Sequence, residues 1–400
     1  MKLTDSSFAA VGAFPGNQVI TIASATAAVR QFMVYSATTI SSVISGAIGL
    51  IKNGTGELTL SGSNTYSGGT MINAGTLKAG STNAFSRNSA VSIATGATVD
   101  LGGFNNTISS LSTSTGTITD SSSAGSGGIL KIATAMPSST TPQLLTGSVG
   151  LQIFGGNTLT SILTNTANTY SGGTIVGNGS GTIVTRLFAA GIIGSGSPSA
   201  VTNGIYGKGT ITIGAATADR SQFYFVNAAT INNNIIVNSA TGTGSGGEIG
   251  AFRVESSGSV IAGNINANLA NVIFITINGA GRTIRVNGVI SGNSGVIVTT
   301  AGVGNITVTF AGINSYLGST SISSGTLITT AIISGISGKF SQANFTNTTL
   351  TVTFSVAPLA GETYQLFPGE TTQSYPAVSL IGASGRTATY NSTNSTLTIA

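Results

Sequence analysis

The chain has 400 residues, of which 6% are charged and 57 are glycine, with no cysteine and no histidine. Its 14 Lys and Arg outweigh 9 acids by +5 but are scattered from Lys2 to Arg386, which excludes the clustered basic footprint of a nucleic-acid binder. Disulfides and thiolate metal sites are excluded by composition, and the commonest general base is missing.

In chain order, the first stretch, "MKLTDSSFAAVGAFPGNQ", lacks the long apolar core of a signal peptide, since Asp5 and Pro15 interrupt it. The expectation is a leader already removed or a different export route. Residues 1–22 are read as an N-terminal extension or cap strand. It either lies on its own first coil or leaves to add a strand to the next subunit. No run of apolar residues long enough to span a bilayer follows anywhere, so no transmembrane helix is expected.

From residue 23 the chain becomes repetitive. Short alternating runs such as "ELTLSG", "GTMINAG", "TLKAG", "AVSIATG" and "TVDLGG" sit between Gly, Asn and Ser clusters. Alternation reads as strand and the clusters as turns, and abundant Ile, Val and Thr suit a pleated surface. Alternation sends Leu58, Leu60, Ile72, Leu77, Val91, Ile93, Val99 and Leu101 to one side. Leu58, Leu77 and Val99 follow one another at nearly even intervals, the spacing of one coil to the next. A coil of this size cannot bury its apolar side alone, so the spacing predicts an all-β solenoid over residues 23–340 with three degenerate repeat units.

The repeat units are marked by "SGSNTYSGGT" (61–70), "NTANTYSGGT" (165–174) and "GINSYLGST" (312–320). Each follows a related phrase: "VISGAIGLI" (43–51), "TGSVGLQI" (146–153) and "VISGNSGVI" (289–297). The interval from phrase to tract is nearly constant, whether measured from Gly46 to Asn64, from Gly147 to Asn168 or from Gly292 to Asn314. The expected roles are structural. Gly68, Gly69, Gly172 and Gly173 would supply positive φ at a corner, and Asn64, Asn168 and Asn314 would bond neighbouring backbone or stack in a ladder. Tyr66 and Tyr170, with Tyr316 in the worn third copy, would cover the corner with a wet hydroxyl. A platform on which sugars stack is the alternative for the tyrosines.

The stretch from Gly49 to Ser112 resembles the autotransporter-associated β-strand repeat, also called the passenger-associated transport repeat; the other two copies are partial. The resemblance implies a right-handed parallel β-helix in a secreted bacterial surface protein, extracellular or on the cell surface. The family often ends in a membrane β-barrel, and no segment after the solenoid is expected to be long enough for one.

Residues 341–400 change character: Pro358, Pro368 and Pro376 and the aromatics Tyr364, Phe367, Tyr375 and Tyr390 gather there. About five short antiparallel strands are expected, forming a β-rich cap or docking segment that protects the last open edge.

Chemistry is sparse. Glycosidases need two carboxylates at a set separation, and only Glu248 and Glu255, with Arg253 between them, come near that arrangement. A loop salt bridge accounts for them without catalysis, so no catalytic, cofactor or metal residue is assigned. The reading is a non-enzymatic structural protein: a surface passenger, an adhesin or a self-assembling fibre subunit. A polysaccharide-acting β-helix enzyme and a virion fibre are the alternatives. The expected partners are further copies of the chain, head to tail, and a surface glycan or host receptor.

Overall fold

The computed structural model describes residues 20–21, 28–112, 115–123, 127–133, 143–153, 160–161, 165, 167–177, 179, 184–188, 206–216, 219–239, 251–277, 279–301, 304–332, 336, 338–346, 348–368, 375 and 378–400. Among these there is no helix, and the strands are short. Two compact units divide the chain: Met1–Asn178 with Asn203–Thr210, and Gly179–Thr202 with Ile211–Ala400. Apart from Ile20–Thr21, residues 1–22 lie outside the described set, and so does Glu248.

In the first unit, strands from successive coils stack in parallel. One stack runs Thr38–Ile40, Glu57–Leu60, Thr76–Ala79, Thr98–Asp100, Thr117–Thr119, Leu144–Leu145. Leu58 pairs with Leu77, Leu77 with Val99, Val99 with Ile118 and Ile118 with Leu145, forming a column of apolar side chains along the axis. A second stack begins with Ala28–Met33, Ile48–Asn53, Thr70–Ile72 and Ala90–Ile93. A third contains Asn106–Ile108, Ile129–Ile132, Gly150–Ile153 and Thr174–Val176. All eight residues expected to face one interior are buried, none more than 4% exposed. The fold is a β-solenoid, and its core exists only because coils stack.

The second unit repeats the plan with longer coils. Val272 pairs with Val296, Arg282 with Ile306 and Ile235 with Ile265, each partner lying further along the chain than Leu77 lies from Leu58. Its interior is richer in rings. Phe223, Phe252 and Phe274 are in register on adjacent strands, and the rings of Phe252 and Phe274 stack with centroids 5.2 Å apart.

Strand direction changes near the C-terminus. Phe340–Phe345 lies antiparallel to Thr326–Thr329, and Leu350–Phe354 antiparallel to Phe340–Phe345. Val378–Ile381 then joins Leu350–Phe354 in parallel, where antiparallel pairing was expected. The long crossover between them, carrying Thr363–Gln365, supplies the length that parallel pairing needs. Thr363–Gln365, Thr396–Ile399 and Ala388–Asn391 form a separate antiparallel sheet. Phe345 centres an aromatic cluster, with its ring centroid 4.6 Å from that of Phe367, 5.8 Å from Tyr375 and 5.9 Å from Tyr390.

Candidate functional site

The repeated tracts occupy loops that lead into the strands Thr70–Ile72, Thr174–Val176 and Thr320–Ile322. In each, the asparagine side chain is buried and its Oδ1 accepts a backbone N–H from the preceding coil. The pairs are Asn64 with Ile44 at 2.7 Å, Asn168 with Leu145 at 2.9 Å, and Asn314 with Ile290 at 2.8 Å. The next residue continues the link through the main chain: the N–H groups of Thr65, Thr169 and Ser315 donate to the carbonyls of Ile44, Leu145 and Ile290. Each tract therefore clamps one residue of the coil before it from both sides.

Two residues on, Tyr66, Tyr170 and Tyr316 are fully buried, which corrects the expectation of a wet hydroxyl. Each phenol instead bonds the threonine four positions later: Tyr66 to Thr70 at 2.7 Å, Tyr316 to Thr320 at 2.6 Å, and Tyr170 to Thr174. The partner lies on the same tract, so the ring can be buried without orphaning its hydroxyl. Burial pushes all three phenols well above their ordinary range, with the threonine bonds pulling modestly the other way. They stay neutral and offer no ring face to a sugar, which removes the stacking platform.

The glycines also act differently from expectation. Of Gly68, Gly69, Gly172 and Gly173, only Gly173 has positive φ, at 85°. A Cβ on Gly68 would fall 2.4 Å from the backbone of Ile48 and Gly49, and one on Gly172 2.6 Å from Ser148, Val149 and Gly150. These two are glycine because the coil below passes too close for a side chain. The positive φ sits in the partner phrases, at Gly46 (102°), Gly147 (68°) and Gly292 (114°). Their carbonyls accept from Ser67, Ser171 and Leu317 respectively.

The first copy reaches onward as well. Asn64 Nδ2 donates to the Ala84 carbonyl, Thr70 Oγ1 bonds Ser89 Oγ at 2.8 Å, and Ser86 Oγ donates to the Tyr66 carbonyl. The tract from Asn64 to Thr70 thus stitches three successive coils. Its polar groups satisfy one another, so the arrangement holds register and presents no nucleophile or base.

The other chemistry-bearing residues have structural partners too. Arg253 and Glu255 form an ion pair at 3.0 Å, Glu255 also accepts from Thr276 Oγ1 and the Ile277 N–H, and the Arg253 guanidinium lies 4.4 Å over the Tyr224 ring. Three buried aspartates were not anticipated from sequence: Asp100, Asp120 and Asp219 accept backbone N–H groups at corners, including those of Gly102, Gly103 and Gly179. Asp100 standing just before "LGG" is a signal that could have found the first of them.

Lys52 was also missed, although alternation from Leu50 places it inward. It is fully buried, and its Nζ donates to the carbonyls of Asn53, Gly54 and Ala74 at 3.2, 2.8 and 3.0 Å. Among the described residues no carboxylate pairs with it, and burial lowers its pKa to about 8.

Two stretches of the chain, 50–79 and 305–328, match the family model of the passenger-associated-transport-repeat. These two stretches are similar to that repeat. The matched stretches contain the first and third tracts, from Asn64 to Thr70 and from Asn314 to Thr320. The second tract lies outside both, yet it is a near copy of the first in sequence and has the same asparagine clamp and tyrosine–threonine bond. Over 172 residues the chain is 36% identical to the "Adhesin BmaC autotransporter" of Brucella suis biovar 1 (strain 1330), covering 42% of this chain and 5% of the adhesin. No solved structure matches the chain.

Proposed function

We propose that this chain is a non-enzymatic segment of a bacterial surface passenger, a β-solenoid that carries or spaces adhesive surface outside the cell. The observation that carries the reading is the thrice-repeated clamp, whose first and third copies are similar to the passenger-associated transport repeat. Similarity to part of an autotransporter adhesin supports the surface location and the adhesive role. Every conspicuous polar group of the repeats is committed to its own fold, and the Glu255 carboxylate is held by Arg253, Thr276 and Ile277. That favours a scaffold over an enzyme. The partner in this reading is a surface glycan or host receptor.

The test is on cells. Antibodies to the purified chain should label intact, unpermeabilised bacteria of the native source, and soluble chain should compete with their adherence. Labelling only after permeabilisation would end the surface assignment. Pectin, alginate and other polyuronates should not be turned over; an activity abolished by Glu255→Gln would overturn the non-enzymatic part.

A further inference from the structure

Asn53, Asn178, Asn203, Asn278 and Asn287 each precede a glycine, and of these Asn53 and Asn287 are among the described residues. An Asn-Gly step can close on itself: the glycine nitrogen attacks the asparagine carboxamide carbon, unhindered by any side chain of its own. Ring closure turns the peptide link between the two residues, so hydrogen bonds on that link protect it.

At Asn53 the link is held. Its carbonyl accepts from the Val34 N–H at 2.9 Å and from Lys52 Nζ at 3.2 Å, and the Gly54 carbonyl accepts from Lys52 Nζ at 2.8 Å. Turning the link would strip the buried ammonium of two carbonyls and leave it Ala74. The carboxamide is tied as well, its Oδ1 accepting from Asn73 Nδ2 at 2.8 Å.

At Asn287 the link is free. The Asn287 N–H donates to the Ile261 carbonyl at 2.8 Å, but among the described residues the Asn287 carbonyl has no donor and the Gly288 N–H no acceptor. Gly288 is buried, where backbone groups are ordinarily paired. A Cβ there would fall 2.1 Å from the Gly263 carbonyl oxygen, so only glycine fits. The Asn287 side chain is exposed, and Arg285 Nε donates to its Oδ1 at 2.7 Å. That cation draws electron density from the carboxamide carbon and sits where negative charge develops when the carbon is attacked.

We propose that Asn287–Gly288 is a self-modifying site that deamidates in the folded chain, with Arg285 as the group that activates it. The Gly288 nitrogen gives its proton to water and bonds to Asn287 Cγ. The Cγ–Nδ2 bond breaks, and Nδ2 takes a proton from water and leaves as ammonia. Water then adds across one C–N bond of the succinimide, giving aspartate or isoaspartate. One water is consumed and one ammonia released, with no change of oxidation state. As aspartate, the new carboxylate pairs with Arg285. As isoaspartate, the main chain gains a bond just before Ile290, the residue whose N–H is held by Asn314 of the third tract. The inference stands independently of the surface-passenger reading.

The experiment is peptide mapping by mass spectrometry of the full chain aged at mildly alkaline pH, with isoaspartyl-methyltransferase labelling as a second readout. The same chain aged in urea and the variants Arg285→Gln and Asn287→Gln run beside it, and circular dichroism melting checks that the fold is kept. In the folded chain Asn287 should convert at least roughly tenfold faster than Asn53, and in urea the two rates should be similar. Arg285→Gln should slow Asn287 by about three- to tenfold, less than a buried oxyanion donor contributes because this one is exposed, and should leave Asn53 unchanged. Asn287→Gln should abolish conversion at this position, since its ring would be one atom larger. Equal protection of both asparagines in the folded chain, faster conversion of Asn53, or a folded Arg285→Gln that ages like wild type would each overturn the proposal. Should Arg285→Gln fail to fold, the wild-type comparison of Asn287 with Asn53, folded and in urea, decides alone.

Discussion

Asn64 has no chemistry of its own, and its recurrence is explained by two backbone groups it satisfies on different coils, the Ile44 N–H and the Ala84 carbonyl. Asn64→Ala leaves both buried and unpaired, and each orphan costs about 1–3 kcal/mol, so urea unfolding should show a loss on the order of 2–6 kcal/mol. Tyr66→Phe should cost less, about 0.5–1.5 kcal/mol, because the Thr70 hydroxyl keeps its bond to Ser89. Lys52 makes stability depend on alkaline pH. Its folded pKa is lowered to about 8, whereas in an unfolded chain a lysine titrates at about 10.4. Between those values the unfolded state binds more protons, so stability rises with pH; it is fully gained above the upper value and lost again as pH falls through the lower one. Urea midpoints should rise from neutral pH to about pH 9, and Lys52→Met should flatten the rise; above about pH 10 the trend should reverse, because unfolded tyrosines lose protons that the buried phenols of Tyr66, Tyr170 and Tyr316 keep.

Among the elements, the strands were legible because alternation directly encodes which side chains face inward, and Leu58, Leu60 and Leu77 are buried as that logic requires. Leu60→Ala should cost about 2–5 kcal/mol through the cavity it leaves, measurable in the same unfolding experiment. The corners were less legible. A Gly-Gly pair signals a turn, but whether glycine is there for φ or for clearance depends on what lies on the neighbouring coil. Gly68 and Gly69 separate the two cases. A Cβ on Gly68 meets backbone at 2.4 Å, while one on Gly69 meets only the Ala90 carbonyl at 3.6 Å, with no positive φ. Gly68→Ala should therefore lower the melting temperature sharply, and Gly69→Ala should leave it unchanged or raise it slightly, by the reduced freedom of the unfolded chain. Equal effects at the two positions would refute the clearance argument.

At the scale of the whole molecule, sparse charge shapes behaviour more than any single pair does. With 6% of residues charged, screening has little to act on, so raising sodium chloride from about 0.05 to about 1 M should move the stability by no more than ~1 kcal/mol. A larger loss, read from urea midpoints, would mean that pairs such as Lys339–Glu362 matter more than their number suggests. The sequence by itself determined the all-β class, the coil spacing and the inward columns, since all three follow from local periodicity and composition. It also located the three tracts, including one that the family model does not match. Only the tertiary structure decided that the tyrosine hydroxyls are dry, that Gly68 and Gly172 serve clearance, that Lys52 is caged by carbonyls, and that Val378–Ile381 pairs in parallel. Each of these depends on which residue of one coil stands against which residue of the next. That register is set by contacts a full coil or more apart in the chain, which no local pattern records.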